Sequence, residues 1–121
     1  PIATEIGFVG WSWTKELTSS GAIVAQDRWY AVFEGYRSSA RTLTTDEWSL
    51  FPDMCVLATL EQRARYITDA YEEQYYVLDR KRYDSLFEQN ILRDRELSQF
   101  LADFVSKRPE IEKLHRQSLV L

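Results

Sequence analysis

The sequence holds a single cysteine and a single histidine in 121 residues. A lone Cys55 excludes an intrachain disulfide framework and any zinc site built from several thiolates. It lies in the apolar run Met54–Leu60, the setting of a buried, inert thiol, with no cationic neighbour in sequence to lower its pKa. Glycine is scarce too, at 4 residues, and none falls in a phosphate-cradling loop, a dinucleotide fingerprint or a nucleophile elbow. No apolar stretch approaches the ~20 residues of a membrane-spanning helix, and Pro1–Gly10 lacks the cationic start and sustained apolar run of a secretion signal. Nor is there an excess of positive charge. Fifteen Lys and Arg face 19 Asp and Glu, for a net charge of -4, and the signs alternate through the second half. That is an ordinary solvated surface, and it argues against nucleic acid as a partner. The expectation is a soluble, cytoplasmic chain with no cofactor and no membrane partner.

What the sequence does have is apolar and aromatic residues at helical spacing within a length that suits one domain. From Asp53 onward, Leu57, Leu60, Ala64, Ile67, Tyr71, Tyr75 and Leu78 recur in alternating steps of three and four. This predicts one long helix burying that stripe, widened by Tyr66, Ala70 and Val77. Arg65 with Asp69, and Arg80 with Asp84, are spaced to pair on its wet side, each pair worth ~0.3 kcal/mol. Thr44 and Glu47 form a capping box that starts a short helix, and Pro52 sets a break at Phe51 to Asp53. Leu97, Phe100, Leu101, Phe104 and Val105 make a further helix that Pro109 stops near Arg108. A last short helix turns Ile111, Leu114 and Leu119 inward.

Nearer the start, Trp29, Val32, Phe33 and Tyr36 fit a helix, followed by a loop from Arg37 to Thr45. "IGFVGWSW", with two glycines and two alternate tryptophans, reads as an extended arm or short strand. The expected fold is mainly α: a bundle of four to five helices over 21–121 with an irregular or short-strand arm at 1–20. The alternative is α+β with a small N-terminal hairpin.

In "AYEEQYYVLDRKRYD", Ala70 to Asp84, the helical reading puts Tyr71 and Tyr75 in the core and projects Tyr76 and Tyr83 from other sides. With Phe8, Trp11 and Trp13 these make an aromatic surplus suited to contact with another protein. The function this supports is a non-enzymatic protein-protein interaction module: an adaptor, regulator or assembly factor that also pairs as a homodimer. A broad apolar face could equally line a cavity for a small apolar ligand.

Three patterns carry alternative chemistry. Glu112 and His115 have the Glu-x-x-His spacing of two-metal helical bundles, but with one histidine only a homodimer could complete the set, with Glu72 or Glu73 as further ligands. Arg108 and His115, seven apart, resemble the arginine, six-residue spacer, histidine motif of the all-helical HEPN ribonucleases. Those enzymes usually have a polar residue after the arginine, where this chain has Pro109. The resemblance implies a metal-independent ribonuclease with Arg108 stabilising phosphate and His115 transferring a proton. Finally, "PIATEIGF" resembles the opening of the 4-oxalocrotonate tautomerase family, which would make the Pro1 amine a general base at the head of a β-α-β unit.

Overall fold

The computed structural model describes residues 2–39 and 43–117. It contains α1 (Ile2–Ser12), β1 (Lys15–Thr18), β2 (Gly21–Val24), α2 (Gln26–Ser39), α3 (Thr45–Ser49), α4 (Phe51–Glu72) and α5 (Leu86–Gln117). The fold is a mainly α bundle with a small antiparallel hairpin near its N-terminus, in which Lys15 pairs with Val24 and Thr18 with Gly21. The longest elements, α4 and α5, pack side by side, α1 lies along α4, and the hairpin rests on α5.

The expected extended arm is instead the helix α1. Gly7 and Gly10 are three apart and share the face that meets α4. A methyl group on Gly7 would collide with the Met54 carbonyl, and one on Gly10 would sit 3.1 Å from Cys55 Cβ and Sγ. The glycines therefore mark a close backbone approach, not a helix break. After α1, Ala25 N–H donates to the Thr14 carbonyl at 2.8 Å. The hairpin follows, and β2 does not present an open edge to water. Ala22 N–H donates to Gln99 Oε1 at 3.0 Å and Val24 N–H to Asp103 Oδ2 at 2.8 Å, so side chains of α5 cap the strand.

α2 forms as its periodicity predicts, burying Trp29 and Phe33, and it continues to Ser39, so the first residues of the predicted loop are helical. The capping box of α3 is present in full: Glu47 N–H donates to Thr44 Oγ1 at 3.1 Å, and Thr44 N–H to Glu47 Oε2 at 2.8 Å. The break expected at Phe51 to Asp53 falls instead at Leu50, which joins α3 to α4; Phe51 to Asp53 are helical, because Pro52 occupies the first turn of α4, where its missing N–H costs nothing.

Two further predicted boundaries move. α4 ends at Glu72, with Glu73 in the left-handed region at φ 52°, so Tyr75, Tyr76, Leu78, Arg80, Tyr83 and Asp84 belong to the following loop. The cause is Asp69. Its Oδ1 accepts from the N–H groups of Gln74 at 2.8 Å and Tyr75 at 2.6 Å, and its Oδ2 from Tyr76 N–H at 3.1 Å. A side chain that captures the next amides competes with helix continuation. Arg65 accordingly pairs with Glu61 at 2.6 Å, not with Asp69. The second shift is at Pro109, which does not stop α5. Leu97, Phe100, Phe104, Ile111 and His115 are buried on both sides of it along one stripe, while Pro109 itself is exposed. Tertiary burial holds the helix through the proline, and an exposed proline suits the solvent side of a long helix. The predicted last helix is thus the end of α5; Leu119 lies outside the described residues.

The core is aromatic. Phe33 packs on Trp29 at 4.4 Å and on Phe51 at 5.7 Å between ring centroids, and Phe104 closes on Trp29 at 5.4 Å. Such pairs contribute about 0.5–1.5 kcal/mol beyond their area.

Replacing Gly7 by Ala should force α1 off α4 and lower the stability by roughly 1–3 kcal/mol, read as a shift in the urea midpoint. An unchanged midpoint would mean that the helices are not in backbone contact.

Candidate functional site

The two faces of α4 are reversed from the usual arrangement. Cys55, Gln62 and Asp69, a heptad apart, are buried together with Ala58, Thr59 and Ala70. These are small or polar side chains, and they point at α1 and α5. On the opposite side the apolar stripe predicted to be core faces outward: Leu57 is 57 % exposed, Leu60 46 %, Ile67 39 % and Tyr71 75 %. The correction follows from size. Only the small face lets α1, with its two glycines, come into backbone contact, so the large residues are left on the other side.

The seam extends past the end of the helix. Tyr71 meets Phe87 of α5 edge to face at 5.7 Å, and Tyr75, in the loop, is as exposed as Tyr71. Beside Ala64 opens a groove of about 690 Å³ lined by Glu61, Arg65, Thr68, Glu72, Gln74 and Tyr75. Its loop wall is held by Asp69, which is buried and also accepts from Asn90 Nδ2 of α5 at 3.0 Å. Burial pushes the Asp69 carboxyl up, but the backbone N–H groups of Tyr76, Tyr75 and Gln74 and the Asn90 amide together hold it below the usual carboxylate value. Tyr76 ties the loop to α4 from behind: its hydroxyl accepts from Gln62 Nε2, and its ring lies against Tyr66 and Tyr75. Gln89 secures the loop from α5, accepting from Asp79 N–H at 2.7 Å and donating to the Val77 carbonyl at 3.0 Å.

The aromatics singled out from sequence separate into two neighbourhoods and an outlier. Phe8 is partly buried under Arg65, whose guanidinium lies 5.7 Å from its ring centre, and Tyr76 is partly buried against Tyr66 and Gln62, so each sits behind a residue of this region and neither lines the groove itself. Trp11 packs against the core with Lys15 over its ring at 5.8 Å, whereas Trp13, near it in sequence, is 63 % exposed. Tyr83 is partly buried with Arg93 over its ring at 5.8 Å. Sequence reasoning missed Leu57, Leu60 and Ile67 as surface residues; the signal that could have found them was the small, polar character of positions 55, 58, 59, 62 and 69 behind them.

Arg108 and His115 are both tied into the structure. Arg108 donates to Glu112 at 2.8 Å and to Asp53 of α4. His115 is 2 % exposed, its ring stacked on Trp48 at 4.6 Å and 7°. The two residues also exchange hydrogen bonds: Trp48 Nε1 donates to the His115 carbonyl at 3.0 Å, and His115 Nε2 lies 2.7 Å from the Trp48 carbonyl. A carbonyl only accepts, so Nε2 carries the proton. Burial lowers the imidazole pKa, against the opposing pull of the Trp48 carbonyl and the Glu112 charge. A smaller pocket of about 140 Å³ borders His115, Glu112 and Pro52.

Cys55 is buried, and desolvation pushes its thiol up to about 12. Among the described residues no three His, Cys, Asp or Glu side chains gather in a metal-binding group; Glu72 is exposed at the end of α4, and Glu73 forms its cap. Pro1 lies outside the described residues, and the segment behind it is α1, where the tautomerase unit would open with a strand. No helix of the described residues is long and apolar enough to cross a membrane. Comparison with protein-family models, curated proteins and solved structures finds no match to this chain.

Two pH responses follow. An unfolded histidine titrates near 6.5 and His115 in the fold titrates lower, so between those values the unfolded chain binds more protons. Stability should fall as pH drops below 6.5, and His115→Gln should flatten the dependence of Tm on pH in that window; an equally steep slope in the variant would place the cause elsewhere. Asp69 acts with the same sign in a more acidic window: its contribution is present above the ordinary value of 3.8 and is lost as pH falls through its lower folded value. Asp69→Ala should loosen the loop at neutral pH, raising amide exchange at Gln74, Tyr75 and Tyr76 while the core amides of α5 stay protected.

Proposed function

We propose that this chain is a non-enzymatic protein-protein interaction module, an adaptor or assembly factor, that docks through the outward seam of α4. The observation that carries this reading is the contiguous run of large apolar side chains, Leu57, Leu60, Ile67 and Tyr71, turned away from the chain's own core. Isolated exposed apolar residues are ordinary; a seam with coiled-coil spacing, rimmed by charge, is the form of a contact surface. These side chains are 39–75 % exposed, so covering the remainder of each is worth about 1–2 kcal/mol, a contribution that adds along the run against the entropy of association. The groove beside Ala64 supplies a concave site for a partner side chain, and exposed Tyr75 supplies an aromatic anchor at its rim. The scaffold behind the seam is suited to present it, because α1 and α5 brace α4 and Asp69 fixes the loop at its end. A single buried thiol is compatible with work in the reducing cytoplasm.

Substituting Leu60 or Ile67 by Glu should leave folding within about 0.5 kcal/mol of the parent, since both side chains lie outward. The same substitutions should abolish association with any partner that copurifies with the parent chain. Retention of those partners by folded Leu60→Glu and Ile67→Glu chains would exclude the seam as the docking surface.

A further inference from the structure

We infer that the occupant of the seam is a second copy of this chain, its α4 laid antiparallel on the first about a two-fold axis passing between Leu60 and Ala64. This rests on the docking reading above and adds the identity and orientation of the partner.

Self-complementarity of shape and charge carries the inference. The seam repeats in steps of three and four from Leu57 to Tyr71, the spacing at which two helices interlock along their length. It has one small member, Ala64, with the groove opening beside it. Around the proposed axis, Leu60 of each chain falls on the partner's Ala64, a large residue against a small one, and Leu57 falls on the partner's Ile67. A parallel copy would set Ala64 on Ala64 and leave the groove unfilled.

Charge agrees with the same axis. In an antiparallel pair, like edges of the two helices face each other in opposite directions. One edge of the seam carries Glu61 and, one turn on, Arg65, joined at 2.6 Å with both side chains nearly half exposed. Reversal brings the two Glu61 side chains together near the axis, each between its own Arg65 and the partner's, giving a four-charge cluster with no net charge. The Phe8 ring, its centre 5.7 Å from the guanidinium, helps keep Arg65 at that edge. On the other edge Arg63 is already neutralised by Asp94 at 2.9 Å, so its charge does not oppose the partner's copy of itself.

The test combines light scattering over a dilution series with disulfide trapping. The parent chain should have the mass of a dimer, and Leu60→Glu should weaken the dimer at least about 100-fold, because it places a carboxylate in a desolvated seam, while the circular dichroism keeps its helical form. For trapping, Leu57→Cys and Ile67→Cys are made singly and together; Cys55 is buried and stays out of the reaction. Within one helix positions 57 and 67 are about 15 Å apart, too far for a disulfide. The antiparallel pair predicts that only the double variant forms a covalent dimer under mild oxidation. Covalent dimers from the single Leu57→Cys chain would mean parallel helices and overturn the inference. A dimer indifferent to Leu60→Glu would place self-association on another surface and overturn it as well. A parent chain that is monomeric at every concentration would also overturn it, yet would leave the docking reading standing on the copurification test, which fails separately if the seam variants keep their partners.

Discussion

The backbone contact between α1 and α4 is the constraint on which the rest of this structure depends. Gly7 and Gly10 on one helix meet Met54, Cys55 and Ala58 on the other with no room for an added methyl group at Gly7. That closeness selects the small face of α4 as its inner face. Once Cys55, Ala58, Thr59 and Ala70 are inside, helical periodicity leaves Leu57, Leu60, Ile67 and Tyr71 no place but the outside. The seam is thus a consequence of how the scaffold is packed, and the same packing holds it rigid.

Apolar burial is supplied elsewhere. Trp29, Phe33, Trp48, Phe51, Phe100 and Phe104 form an interior to which α4 contributes mainly Phe51 near its start. His115 is part of this interior: its ring lies within aromatic contact of Trp29, Phe33, Trp48 and Phe51, and its Nε2–H meets the Trp48 carbonyl. The far end of α4 is polar inside, where Gln62, Asp69, Gln89 and Asn90 are buried and tie the 73–85 loop to the helices. The chain therefore has an aromatic interior at one end of α4 and a hydrogen-bonded one at the other. The outward seam runs along both.

Much of the architecture was legible in the sequence. The helix through Trp29 and Phe33 and the capping box at Thr44 and Glu47 follow from local signals, and local signals need no tertiary context. The errors share a cause: each came from reading a residue by its most common role. Gly7 and Gly10 looked like breaks because glycine is weak in helices, but here it serves close packing. Pro109 looked like a stop, yet the buried stripe from Leu97 to His115 carries the helix past it. Asp69 looked like half of a surface ion pair, while its carboxylate ends the helix. The stripe from Leu57 to Tyr71 was seen in full, and only its direction was wrong, since periodicity shows that a face exists and not which way it points. Of the aromatics expected as contact residues, Trp13 is exposed, and Phe8, Trp11, Tyr76 and Tyr83 are partly buried.

The central claim is that the large apolar face of α4 points away from its own core. The most direct test is the NMR relaxation of methyl groups by a soluble paramagnetic agent, in a methyl-labelled Leu60→Glu chain so that pairing cannot mask the seam. The account predicts strong broadening of Leu57 and Ile67, with Leu97 and Ile111 shielded as residues 0–1 % exposed should be. Leu57 and Ile67 methyls as shielded as those of Leu97 would contradict it, because α4 would then bury its apolar stripe in the ordinary way.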